Sequence, residues 1–121
     1  MKAKDLMIGD KVMVKVLSQI PDTYILHTWT SNDYSRDIQV KPITFTPEIL
    51  EKNGFIKVNS QRYDYGYPDT NCYVKVNPKK NMIHVNGRNA NSNLYSHSFV
   101  HELQRALRCC GLWDIADNFV V

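Results

Sequence analysis

The stretch Val100-His101-Glu102-Leu103-Gln104-Arg105-Ala106-Leu107-Arg108-Cys109-Cys110, stopped by Gly111, carries the clearest period in the chain. At about 100° per residue, Val100, Leu103, Ala106, Leu107 and Cys110 share one side, the i, i+3, i+4, i+7 pattern of a helix docked on a core. His101, Arg105 and Arg108 fall on the opposite side, which the pattern predicts to face water. An amphipathic helix near the C-terminus needs a sheet or helices to cover. The rest of the chain is therefore read for what supplies that surface.

Upstream, the periods are those of strands. Leu6-Met7-Ile8-Gly9-Asp10 reads as a turn, because Gly9 can take positive φ and Asp10 can bond the backbone beyond it. Val12, Val14 and Val16 then alternate with Lys11, Met13 and Lys15, the mark of a half-buried strand. Pro21-Asp22 marks a turn, 23–30 the returning strand, 31–37 a polar loop. Ile38 to Ile43 alternates again, and Pro42 suits a strand end. A Gly-Asp turn opening short strands also fits an SH3-like barrel in the N-terminal half.

Both ends of a short central helix are written in Thr46-Pro47-Glu48-Ile49-Leu50-Glu51-Lys52-Asn53-Gly54. Thr46 suits the N-cap, Pro47 the first turn and Gly54 the left-handed position after the C-cap. Phe45 and Leu50 make a hydrophobic staple, and Phe55 can touch Leu50 from the other end. Phe55 to Val58 begins another strand. Cys72 to Val76 and Met82 to Val85 flank a basic hairpin loop, Asn77-Pro78-Lys79-Lys80-Asn81. Gly87 to Asn93 reads as an Asn-rich loop and Leu94 to Phe99 as the last strand. Together these predict an α+β fold in one domain, residues 1–121. Short antiparallel strands surround one short central helix, and the C-terminal amphipathic helix packs on the sheet.

At 121 residues the chain is long enough for a single core. Hydrophobic content of 43% and charged content of 22% are ordinary for a globular protein. No apolar run approaches the roughly 18 residues of a membrane span, and the N-terminal residues lack the apolar region of a signal peptide. A cytoplasmic address without membrane association is expected. Three cysteines, Cys72, Cys109 and Cys110, are an odd number. The adjacent pair points about 100° apart on a helix, so a disulfide framework is not expected. The net charge of +3 is too mild to mark a nucleic-acid binder on its own.

Two constellations could carry function. His101-Glu102-Leu103-Gln104-Arg105 approaches the H-E-x-x-H helix of zinc peptidases, in which histidines at i and i+4 share a face. Arg105 occupies the second ligand position and cannot ligate a cation. His97 and His101 have the spacing, with His84 and Cys72 as further ligand candidates. The reading preferred is solvated or capping histidines, with no metal and no cofactor. Cys110 belongs to the apolar stripe, whereas Cys109 lies on the polar side beside basic residues that could lower its pKa. The alternative function is thus a small metal- or cysteine-dependent hydrolase using His101, Glu102 and Cys109.

The second constellation is Arg62-Tyr63-Asp64-Tyr65-Gly66-Tyr67, three tyrosines at spacing two with basic neighbours Arg62, Lys75, Lys79, Lys80 and Arg88. Alternation puts Tyr63, Tyr65 and Tyr67 on one side of an extended segment. Rings there could stack on bases while Lys79, Lys80 and Arg88 neutralise phosphates. The competing reading is that the tyrosines simply cover one side of a sheet.

The stretches Thr46–Phe55, Val100–Arg108 and Ala116-Asp117-Asn118-Phe119 together resemble a family of small proteins from gut Bacteroidetes, their prophages and mobile elements. Members similar to this chain often read H-E-L-Q-H where Arg105 ends the motif here. The resemblance implies a mobile-element setting and carries no activity. The expected function is therefore a non-enzymatic module that binds protein or nucleic acid.

Overall fold

A computed structural model describes residues 6–16, 24–35, 38–67, 72–87, 90–95 and 99–121. The fold is α+β, and the described residues form two antiparallel sheets and three α-helices. In the first sheet β1 (Lys11–Val16) lies between β2 (Ile25–Thr28) and β3 (Ile38–Lys41). Val12 pairs with His27 and Val14 with both Ile25 and Val40, so the valine face is continuous across the sheet. Val12, Val14, Leu6 and Trp29 form its small core.

The SH3-like barrel is not formed. Three short strands cannot curl far enough to meet, and after β3 the chain leaves through Pro42 into α1 (Pro47–Lys52) rather than a fourth strand. The stretch read as a polar loop contains a 3₁₀ turn, Ser31–Ser35, held by Asp33. Thr46 caps α1 by accepting from Ile49 N at 3.3 Å. At the other end Gly54 N bonds Glu51 O at 3.2 Å and Phe55 N bonds Leu50 O at 3.0 Å. That is a Schellman stop, with Gly54 at φ +84 where a β-carbon would be strained.

The second sheet is a meander of five: β4 (Ile56–Asn59), β5 (Arg62–Tyr67), β6 (Cys72–Asn77), β7 (Met82–Gly87) and β8 (Ala90–Tyr95). The last strand corrects the expected boundaries, since most of the Asn-rich segment is strand rather than loop. Asparagine disfavours strands in isolation, but the ladder to β7 (Val85 opposite Asn93, His84 opposite Leu94) overrides that local preference.

Between the sheets runs α2 (Val100–Cys109), followed by α3 (Trp113–Asp117). The apolar stripe of α2 is where its period placed it. Val100, Leu103, Ala106, Leu107 and Cys110 are all buried with Val74, Val76, Ile83 and Val85 of the five-stranded sheet. The opposite side does not face water. His101, Gln104 and Arg108 are also buried; the Gly9–Lys11 end of the three-stranded sheet closes over Gln104 and Arg108, and His101 stacks on Phe99. No helix of the described residues is long and apolar enough to cross a membrane.

Candidate functional site

The tyrosine alternation holds, but its direction is inward. Tyr63 lies opposite Val76 and Tyr65 opposite Val74, both core valines. Cross-strand partners point to the same side of a sheet, so these tyrosines point at α2 and its neighbours. Tyr63 is 2% exposed, and the Tyr65 ring packs 5.3 Å from that of Phe55. The buried Tyr63 ring cannot stack on a base, which corrects the expected platform at that position, and Tyr65 is partly buried against the same core. The Tyr67 side chain and all of Arg88 lie outside the described residues.

The residues between the tyrosines point the other way. Asp64 lies opposite Lys75, and Lys75 opposite His84, a polar row across the outer side of β5, β6 and β7. Arg62 joins it by donating from Nε to Asp64 Oδ1 at 3.0 Å and from Nη2 to Oδ2 at 2.8 Å. These hydrogen bonds raise the Arg62 pKa above its ordinary value and hold the guanidinium in one plane. Lys75 Nζ stands 5.2 Å from the centre of the Tyr73 ring, within cation–π range.

The hairpin between β6 and β7 completes the arrangement. Asn77 Oδ1 accepts from Lys79 N at 3.1 Å and Lys80 N at 3.2 Å, an Asx turn, and Asn81 takes the left-handed conformation that asparagine tolerates. That turn sets Lys80 beside the row. Gln61, Arg62, Lys75, Asn77, Lys80 and His84 all line one open recess of about 260 Å³. Lys79 stays exposed on the hairpin, outside the recess lining. Of the predicted site residues whose side chains are described, then, Lys80 reaches the recess and Tyr63, Tyr65 and Lys79 do not. Sequence reasoning named Arg62 and Lys75 only as basic neighbours and passed over His84 here. The signal for all three was alternation: where every second residue enters a core, the residues between form an outer surface.

The residues of the alternative hydrolase do not converge. His101 is in the first turn of α2 and Cys109 in the last, eight residues or about 12 Å apart along the axis. Glu102 is occupied as half of a capping box, its Oε1 accepting from Phe99 N at 3.1 Å. Burial pushes the Glu102 carboxyl above its usual range, against that hydrogen bond and the nearby charge of Arg105. His101 is buried and stacked on the Phe99 ring at 6.3 Å. Cys109 is exposed at the far end, while Cys110 is buried. Among the described residues no three His, Cys, Asp or Glu side chains group closely enough to hold a metal ion. His97 lies outside those residues, as does the side chain of Cys72.

What the polar side of α2 does instead is join the two sheets. Asp10 is fully buried and accepts from Arg108 Nη1 at 2.8 Å and from Met7 N at 2.8 Å, with Arg105 Nη2 at 3.5 Å. Gln104 donates to Gly9 O and Ala116 O, each at 2.9 Å, and accepts from Lys11 N at 2.7 Å. Every polar atom of the Gln104 amide is used. Gly9, at φ +96, lets its turn approach so closely that a β-carbon there would sit 3.1 Å from Arg108 Nη2. This network holds the two sheets to the helix, and its polar groups are engaged with one another.

The outer side of the five-stranded sheet is therefore the candidate site: cationic, indented, and pinned from below by a packed core. Comparison with protein-family models, with curated proteins and with solved structures returns no match.

Proposed function

We propose that this chain is a non-enzymatic interaction module that lays single-stranded nucleic acid across the outer side of its five-stranded sheet. One observation carries the reading: Arg62, Lys75, Lys80 and His84 line a single recess. A net charge of only +3 is mild for the whole chain, yet three of its cations gather there against one carboxylate, Asp64. Tyr73, on the same side of β6 as Lys75, offers one ring for stacking. The recess is open rather than enclosed, so a polymer chain can reach it. The resemblance to proteins of prophages and mobile elements is in keeping with such a role, in a cytoplasmic setting.

The test is a titration of a fluorescent single-stranded oligonucleotide with wild type and a Lys75→Ala, Lys80→Ala variant at two salt concentrations. Binding should weaken steeply as salt rises, because each neutralised phosphate releases counterions. The variant should bind more weakly and show a shallower salt slope. Absence of binding by wild type at low salt, or equal binding by the variant, rejects the reading.

A protein partner is the second reading, and exposed apolar residues on edge strands favour it. Ile25 and Leu26 of β2 and Ile56 and Val58 of β4 are all at least half exposed. Strand addition at such an edge is a common mode of peptide recognition.

A further inference from the structure

Resting on the nucleic-acid reading above, we infer that the recess seats the terminal phosphomonoester of a strand rather than an internal phosphodiester. The first argument is charge. Three cations, Arg62, Lys75 and Lys80, less the one carboxylate of Asp64, leave a formal balance of two positive charges around the recess, not counting His84. A phosphomonoester carries about −1.5 to −2 near neutral pH, whereas each internal phosphate of a strand carries one negative charge. The terminal group is the better match.

The second argument is position. In an antiparallel meander the β4–β5 and β6–β7 turns lie at the same end of the sheet. Gln61 comes from the first turn, Lys80 from the second and Asn77 from the end of β6 beside it, so the recess is walled by the turns at that end. Along the strand axis, the recess has those turns on one side and the continuing ladder of β5, β6 and β7 on the other. Tyr73 lies in that direction, two residues or about 7 Å along β6 from Lys75. A terminal phosphate in the recess thus places the adjoining nucleoside toward the Tyr73 ring.

The third argument is size and preparation. At about 260 Å³ the recess falls below the roughly 300–1,000 Å³ of pockets that enclose whole small molecules, and suits a phosphate group with its hydration. Asp64 engages Nε and Nη2 of Arg62 and leaves Nη1 with no hydrogen bond among the described residues. The same carboxylate that lowers the local charge also fixes the donor's direction. The Asx turn does likewise for the backbone that carries Lys80.

The experiment uses the full chain and three internally labelled oligonucleotides of one sequence, bearing a 5′-phosphate, a 3′-phosphate, or hydroxyls at both ends. One phosphorylated strand should bind on the order of fivefold to tenfold tighter than the hydroxyl-ended strand at low salt, and the comparison tells which end is seated. Lys80→Gln, a change in an exposed turn that leaves the core alone, should abolish that preference while weakening the hydroxyl-ended strand by about twofold. Equal affinity for all three strands, or a preference that survives both Lys80→Gln and Lys75→Gln, overturns the inference and leaves the interaction module standing. If no strand binds at all, both fall together.

Discussion

At the scale of single residues, the decisive contrast is between Tyr63 and Lys75. Both lie in polar-looking stretches, yet one is core and the other surface, and only the pleat tells them apart. Alternation was legible in the sequence; which phase faced inward was not, because tyrosine is at home on either side of a sheet. Tyr63→Ala should therefore cost about 3–5 kcal/mol in a denaturant melt, the range for removing a buried aromatic, while Lys75→Ala should change stability by less than about 0.5 kcal/mol. The reverse order would mean the sheet is turned over. Arg108 was misjudged for a different reason. A long cation on the side opposite an apolar stripe is normally solvated, and nothing local announces that Asp10, far away in the chain, will be buried against it. Arg108→Ala would leave the buried Asp10 carboxylate with the Met7 N hydrogen bond and, as its remaining cation, only the longer Arg105 contact, at about 3–5 kcal/mol. Replacing Asp10 as well, by Asn, should recover much of that loss, and a double-mutant cycle measures the coupling.

Elements were more legible than residues wherever their ends are written locally. The cap, first-turn proline and Schellman glycine of α1 are local chemistry and fell where expected. Thr46→Ala should cost about 1 kcal/mol, read as a shift in the urea midpoint with unchanged slope. The stripe on α2 was equally plain, and Leu107→Ala should cost about 2–5 kcal/mol. By contrast the Asn-rich first part of β8, residues 90–93, was hidden, since its asparagines are strand residues only because β7 pairs with them. The 3₁₀ turn after β2 is held by side-chain bonds that the sequence only hints at. Burial alone would push Asp33 up, but hydrogen bonds from His27, Thr30 N and Thr30 Oγ1 outweigh it and leave the carboxyl below its ordinary 3.8. A carboxyl whose pKa is lowered on folding stabilises the fold fully above the unfolded value, and that stabilisation is lost as pH falls through the lowered one. The stability gap between wild type and Asp33→Asn should thus be wide at about pH 6 and shrink progressively as pH falls below the ordinary carboxyl value. A gap that stays constant would show that the carboxylate charge contributes nothing.

At the scale of the whole molecule, two sheets clasp one helix, and the two sides of that helix are held by different forces. The apolar side is area and packing; the polar side is a few directed bonds to the Gly9–Lys11 turn. Directed bonds fail one at a time, so weakening them should release the three-stranded sheet before the five-stranded one. In hydrogen exchange of Arg108→Ala, amides of β1 should lose protection well before those of β6 and β7; uniform loss would show a single cooperative unit. The α+β class was readable from periods alone, but the division into two sheets was not, because strand partners are chosen across the whole chain. That division leaves β2 as an outer strand bearing Ile25 and Leu26, both at least half exposed. The outer strand β4 is blunted by Lys57 and by the bulge between Lys57 and Asn59, whereas β2 has no bulge in its pairing with β1. In concentrated storage, self-association should begin along β2 and seed insoluble fibrous material, and Leu26→Lys should be the single change that most prolongs the clarity of the solution.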